Sequence, residues 1–189
     1  MTTTGGRTAP APTTRPPLQL STVHPGATRR YRLAGFTLHP QMRMAGAVDR
    51  SALPAVRGLR EGGAEDFAWM DRLDERLRGG GHGPDHAYML DRLRLVVSDD
   101  PKRPGYVYID EELGQGVLLA AEEERTSQDL LWEALAAARD DTLVNCITTA
   151  DHWAVGVGLA ARLDIGQEGY LAVRGMGEPA PYLASGHFL

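Results

Sequence analysis

One cysteine, Cys146, stands in 189 residues. A lone thiol forms no internal disulfide, and this scarcity fits a reducing compartment. Long apolar runs are missing as well: no window approaches the roughly 18 apolar residues of a membrane-spanning helix. The opening stretch MTTTGGRTAPAPTTRPP lacks the apolar core of a secretion signal. Positive charge is in short supply, with 20 Lys and Arg against 25 Asp and Glu and a net charge of −5. That balance excludes a global attraction to nucleic acid or to an anionic membrane. No internal repeat and no second long linker are visible. The expectation is a soluble, cytoplasmic protein that engages neither nucleic acid nor membrane.

What is present suffices for one domain with a sizeable core. Residues 1–28 are rich in Thr, Pro and Gly and too poor in apolar surface to offset the entropy of ordering, which predicts a disordered tail. The folded part is expected over residues 29–189. MRMAGAVDR (42–50) reads as a first strand. SALPAVRGL reads as a short helix capped by Ser51, with Pro54 in its first turn. In AEDFAWMDRLDERLRGGG, Phe67, Met70, Leu73 and Leu77 share one helical face. Asp74 and Arg78, four apart, are expected to form a supporting ion pair, and the glycines at 79–81 stop the helix.

The segments LRLVV, YVYID and QGVLLAAE, separated by the turns DDPKRPG and EELG, read as a three-strand antiparallel meander. Thr126 with Asp129, and Thr148 with Asp151, fit capping boxes for two further helices. Leu130, Leu131, Ala134, Leu135 and Ala138 line the first. Trp153, Val157, Ala160 and Ala161 line the second, whose Gly156 and Gly158 imply a close approach to the sheet. TLVNCITT between them is a buried strand in which Cys146 is inert. GYLAVRG and YLASGHFL close the chain as strands. The fold class is therefore α/β (α+β): a mixed, mostly antiparallel central sheet with helices on both faces.

Within that order, LLAAEEERTSQDLLWEAL raises a chemical question. A strand that feeds a helix can hold a phosphate on the backbone N–H groups of the turn, usually with glycines there. This turn carries Glu122, Glu123, Glu124 and Arg125 and no glycine. An acid near a helix N-terminus stabilises the helix by roughly 0.3–1 kcal/mol. The acids therefore fit a helix that needs no bound anion, while Arg125, Thr126, Ser127 and Gln128 leave a residual anion contact open.

The element order, with RRYRLAGFTLHP, GYVYID, LLWEAL, DHWAVGVGLAARL and the terminal GYLAVRGMGEPAPYLASGHFL, resembles the GNAT superfamily of N-acetyltransferases. More closely it resembles the C-terminal half of two-domain GNAT proteins of actinobacteria. RRYRLAGFTLHP then resembles the closing segment of a preceding domain. The resemblance implies acetyl transfer from acetyl-CoA to a primary amine on a small molecule or peptide. It places acetyl-pantetheine along Leu119, Ala120 and Ala121, and the pyrophosphate near Arg125, Thr126, Ser127 and Gln128. Glu122 is the positional candidate for general base. The tyrosine that such enzymes place near the end of the last helix, as acid to the leaving thiolate, is missing from GLAARLDIG; Tyr170 is the substitute, with Tyr182 as a second choice.

HGPDH brings His82, Asp85 and His86 within five residues. Gly83 and Pro84 interrupt any regular helix between the histidines, so this is not a helical metal pair. A cap by Asp85 is the plain reading, and the family likeness makes the trio a substrate-contact candidate. Two functions stay open: a GNAT-like N-acetyltransferase, or a non-catalytic GNAT-like module that serves structure, dimerisation or acyl-CoA sensing. A homodimer or a partner GNAT domain would complete the second.

Overall fold

The computed structural model describes residues 17–138 and 141–186. In chain order the elements are β1 (Leu18–Thr22), α1 (Pro25–Leu33), β2 (Thr37–Ala47), β3 (Leu59–Glu61), α2 (Phe67–Arg78) and α3 (Asp85–Leu90). The meander β4 (Arg94–Ser98), β5 (Gly105–Asp110) and β6 (Gln115–Ala121) follows. The remainder is α4 (Glu124–Ala137), β7 (Asp141–Ile147), α5 (His152–Ala160), β8 (Asp164–Arg174) and β9 (Tyr182–Leu183). The strands form two sheets, ordered β1-β8-β2-β7 and β3-β4-β5-β6-β9. Every pairing in them is antiparallel.

The second sheet is buried on both faces, which explains why β5 and β6 read as continuous apolar runs. Side chains alternate along a strand. Val107, Ile109, Leu119 and Ala121 therefore join a core with Leu130, Leu131, Ala134 and Leu135 of α4 and Trp153, Ala154 and Val157 of α5. Tyr106, Tyr108, Leu118 and Ala120 point the other way, into a core with Met70 and Leu73 of α2 and Met89 of α3. Each fully buried Leu or Met contributes about 1.5–3 kcal/mol. α2 ends at Gly79, whose left-handed φ of 78° lets its N–H reach the Glu75 carbonyl at 3.0 Å. Gly158 of α5 is where helix and sheet touch most closely, since a Cβ there would run into the Met44 sulfur. Gly156 meets nothing within 4 Å, so only one of the pair serves that approach.

Several boundaries differ from the sequence-based expectation. Leu18–Thr22 is a strand paired along β8, from Leu18 opposite Arg174 to Thr22 opposite Tyr170. The expected tail of residues 1–28 thus carries structure from β1 into α1; residues 1–16 lie outside the described residues. β2 begins at Thr37 rather than Met42 and sits inside the first sheet, between β8 and β7. The segment expected to close another domain is therefore an integral part of this one. The helix expected at SALPAVRGL is a single 3-10 turn, Arg50–Ala52, and its cap is Asp49, which accepts from the Ser51 N–H at 2.9 Å. α4 starts at Glu124 with Glu123 as its cap, so Thr126 lies inside the first turn instead of preceding it. No helix among the described residues is long and apolar enough to cross a membrane.

Candidate functional site

No ladder joins β6 to β7 among the described residues, and the two sheets part between them. This is the position where the family likeness expects a donor cleft along Leu119, Ala120 and Ala121. Along those three residues the gap is filled from within. Leu119 pairs with Leu183 and Ala120 with Tyr182, and the Ala121 N–H donates to the Pro181 carbonyl at 3.2 Å. The void that remains, lined by Leu119, Leu131, Val144, Leu183 and neighbours, is about 10 Å³, room for a single water at most.

Asp151 pins β9 in place. Its Oδ1 accepts from the Tyr182 N–H at 2.9 Å and from Trp153 Nε1 at 3.1 Å, while Thr148 Oγ1 donates to Oδ2 at 3.2 Å. The carboxyl is fully buried. Burial pushes its pKa up to about 7, against the pull of those three hydrogen bonds.

The acidic turn after β6 is closed by contacts of its own. The Glu122 N–H donates to the Pro104 carbonyl at 2.9 Å, and the Glu122 carboxylate pairs with Arg76 of α2 at 2.6 Å. Arg125 pairs with Asp129 one helical turn on, at 3.3 Å. Thr126 is buried with its methyl over Gly105, where an added Cβ would come within 2.8 Å of it. The buried Ser127 hydroxyl donates to the Glu123 carbonyl at 3.2 Å. Gln128 is half-buried. Thus three of the residues expected at a pyrophosphate are engaged with the protein itself.

The expected acid and base are not brought together. Tyr170 stands on β8 between Thr22 and Pro40. Glu122 follows β6 in the other sheet, and no hydrogen bond joins the two among the described residues. Tyr182 is buried in β9 with its hydroxyl 3.1 Å from His82 Nε2. Toward the start of β6 the gap is open: Gln115, Gly116 and Val117 of β6 and Asn145 of β7 line a groove of about 960 Å³ with Tyr88, Arg92 and Arg94. The Arg92 guanidinium lies over the Tyr88 ring at 3.8 Å, and Arg94 pairs with Glu61 at 2.6 Å and Glu133 at 3.0 Å.

HGPDH separates into two kinds of residue. Asp85 is exposed at the start of α3 and makes no side-chain cap bond, contrary to the expected role. His82 and His86 are buried, with their rings edge to face at 5.6 Å. They belong to a polar network inside the second core. His86 Nδ1 is 3.2 Å from the Tyr108 hydroxyl oxygen, and its ring stacks on Phe67 at 5.4 Å. Tyr106 donates to Asp74 Oδ1 at 2.8 Å, and Asp71 Oδ1 accepts the Gly83 N–H at 2.8 Å.

Burial, with Arg78 and His86 nearby, drives the His82 pKa down to about 3. The same burial raises the Asp74 carboxyl and holds the hydroxyls of Tyr106, Tyr108 and Tyr182 above their ordinary range. Asp74 corrects a sequence expectation, because it turns inward to Tyr106 and His86 rather than outward to Arg78. The signal for it was available: Asp74 lies four after Met70 and three before Leu77, on the apolar stripe of α2.

No protein-family model matches the chain, and neither does any curated protein. Solved structures do match. A candidate acetyltransferase from Pyrococcus horikoshii superposes on 90% of this chain at 15% identity with a TM-score of 0.65, over 58% of its own length. A GCN5-related N-acetyltransferase from Kribbella flavida superposes on 84% of this chain at 20% identity with a TM-score of 0.51, over 43% of its own length. This chain spans about half the length of these structures.

Proposed function

From the fold it shares with the GCN5-related N-acetyltransferases, we propose that this chain is a non-catalytic module of that fold. Its donor cleft is occupied by its own β9. Its part is structural: it completes a larger acetyltransferase-like assembly by pairing with a partner domain of the same fold or with a second copy. The pairing of β9 with Leu119 and Ala120 carries this reading. An acetyl-pantetheine arm that binds along β6 needs the free backbone groups of that edge, and β9 already satisfies them. The glycine-free turn supports it, since the carboxylates of Glu122, Glu123 and Glu124 repel a diphosphate. The separation of Tyr170 from Glu122 supports it too.

The rival reading is acetyl transfer from acetyl-CoA to a small-molecule or peptide amine, with Glu122 as base and Tyr170 as acid. It is favoured by the brevity of β9, whose ladder of two residue pairs is short enough to be displaced. Calorimetric titration of the folded chain with acetyl-CoA and with CoA separates the two. The module gives no heat at millimolar ligand. Micromolar binding, about −8 kcal/mol, overturns it and establishes that β9 yields to the cofactor.

A further inference from the structure

Three polar atoms converge without hydrogen-bond partners to occupy them fully in the core between α2 and α3. Asp71 and Asp74 are three apart on one face of α2, and His86 faces them from the first turn of α3. His86 Nε2 lies 3.4 Å from Asp74 Oδ2 and 3.5 Å from Asp71 Oδ1. One donor atom from each residue lies within 4.8 Å of the other two. His86 and Asp74 are completely buried, and His86 Nε2 and Asp74 Oδ2 have no hydrogen-bond partner among the described residues. Both distances exceed the 2.7–3.2 Å of an N–H···O bond.

The other nitrogen of His86 has a partner of its own. The Tyr108 hydroxyl lies 3.3 Å from the His86 carbonyl and 3.2 Å from Nδ1, and when it donates to the carbonyl its oxygen accepts from an Nδ1–H. In the neutral ring Nε2 then presents a lone pair to two carboxylate oxygens. Three electron pairs pointed at one spot repel one another unless a proton or a metal cation lies between them. A four-coordinate divalent ion with ligand distances of about 2.0–2.2 Å sets neighbouring donors about 3.3–3.6 Å apart. Both measured separations fall in that range. The outer contacts are also those of a metal site: a hydroxyl on the far nitrogen of the imidazole, and the Tyr106 hydroxyl on the second oxygen of Asp74.

We propose that Asp71, Asp74 and His86 bind a divalent transition-metal ion of the zinc type, with one position left for water on the open side of Asp71. The Asp71 side chain is 32% exposed and provides the way in. The ion ties α2 to α3 across the glycine-rich turn between them. One imidazole and two carboxylates, at this spacing, suit zinc or cobalt better than calcium, which takes six to eight oxygens at longer range. The site is independent of whether the donor cleft binds acetyl-CoA.

The test uses the full chain, stripped with a chelator and titrated with Co²⁺ under visible absorption, then with Zn²⁺. The expected result is one equivalent of Co²⁺ with the intense ligand-field bands of a four-coordinate ion, bleached on displacement by Zn²⁺. Asp71→Asn keeps an oxygen for the Gly83 N–H but loses the charged ligand, and it abolishes the bands. Tyr108→Phe leaves the ligands in place and weakens binding by about 10–100-fold. Glu75→Gln, exposed on the same helix, leaves the titration unchanged. Parent protein without the bands, or bands at full strength in Asp71→Asn, overturns the site.

Discussion

The stability contributed by Asp151 is expected to fall as the pH rises from about 4 to about 7. Buried His82, held down at about 3, contributes in the opposite sense over much of the same window and is common to the two proteins compared. Burial pushes the Asp151 carboxyl up to about 7 from an ordinary value of 3.8. Between those values the folded protein keeps a proton that the unfolded chain has released. The contribution is therefore complete below the unfolded pKa and is lost as the pH climbs through the folded one. At about 1.4 kcal/mol per pH unit, the loss across the window is about 4 kcal/mol. Asp151→Asn isolates it. The amide oxygen still accepts from Tyr182 N–H and Trp153 Nε1, but the side chain no longer titrates. Asp74 and Glu168, whose carboxyls burial also raises, titrate in both proteins and cancel in the difference. Urea unfolding followed by tryptophan fluorescence, from about pH 4 to about pH 8, measures that difference. The Asn variant should gain about 4 kcal/mol on the parent across the range, or about 8–16 °C in Tm for a chain of this size. Parallel pH profiles would refute the assignment of a neutral, buried Asp151.

Other outcomes follow from single contacts. Gly158→Ala drives a methyl into Met44 and costs about 1–3 kcal/mol in denaturant unfolding; shortening Met44 in the same protein restores part of it, and strict additivity would contradict the contact. The Cys146 thiol, raised to about 11 chiefly by burial, reacts with a thiol reagent far more slowly in the native than in the urea-unfolded protein near pH 8; equal rates would sink this. Arg60 holds Asp66 down at about 2, so this pair adds stability above about pH 4 that drains away as the pH falls toward 2. Arg60→Met removes that partner and costs about 1–3 kcal/mol near neutral pH, tempered because half of Arg60 faces water.

The middle of the fold is readable from the sequence because each element there carries its own periodicity. β5 and β6 are unbroken apolar runs, and the leucines and alanines of α4 recur at helical spacing. The ends are not readable in this way. LQLST alternates over too few residues to stand out beside its Thr/Pro/Gly-rich flank, and it pairs along β8, far down the chain, with Gln19 buried and Leu18 exposed against that alternation. YLASGHFL reads as a strand, and Tyr182–Leu183 at its start are one, but nothing in so short a pair shows that it lies against β6; residues 187–189 lie outside the described residues. The acidic turn is legible in composition, whereas its closure by Pro104 and Arg76 depends on tertiary contacts. Asp74 shows the limit of spacing arguments. Four residues separate it from Arg78, as in any surface pair, but its place on the apolar stripe puts it in the core beside His86. Of HGPDH, the histidines are buried and Asp85 is exposed.

The place of β2 between β8 and β7 also has a bearing on how the protein is made. β2 ends at residue 47, while β8, its longer partner, begins at residue 164. At about 5–20 residues per second, a ribosome needs about 6–23 s to traverse the difference. β7, at residues 141–147, is made within that interval, so β2 lacks both neighbours until then and keeps its β8 edge open until the end. The second sheet, whose meander is local, can condense first around α2 and α4. The first sheet closes late, by capture of an early strand between two later ones, and only β9 of the second sheet follows it along the chain. Nascent-chain lengths that stop short of β8 should therefore be the ones that recruit holding chaperones.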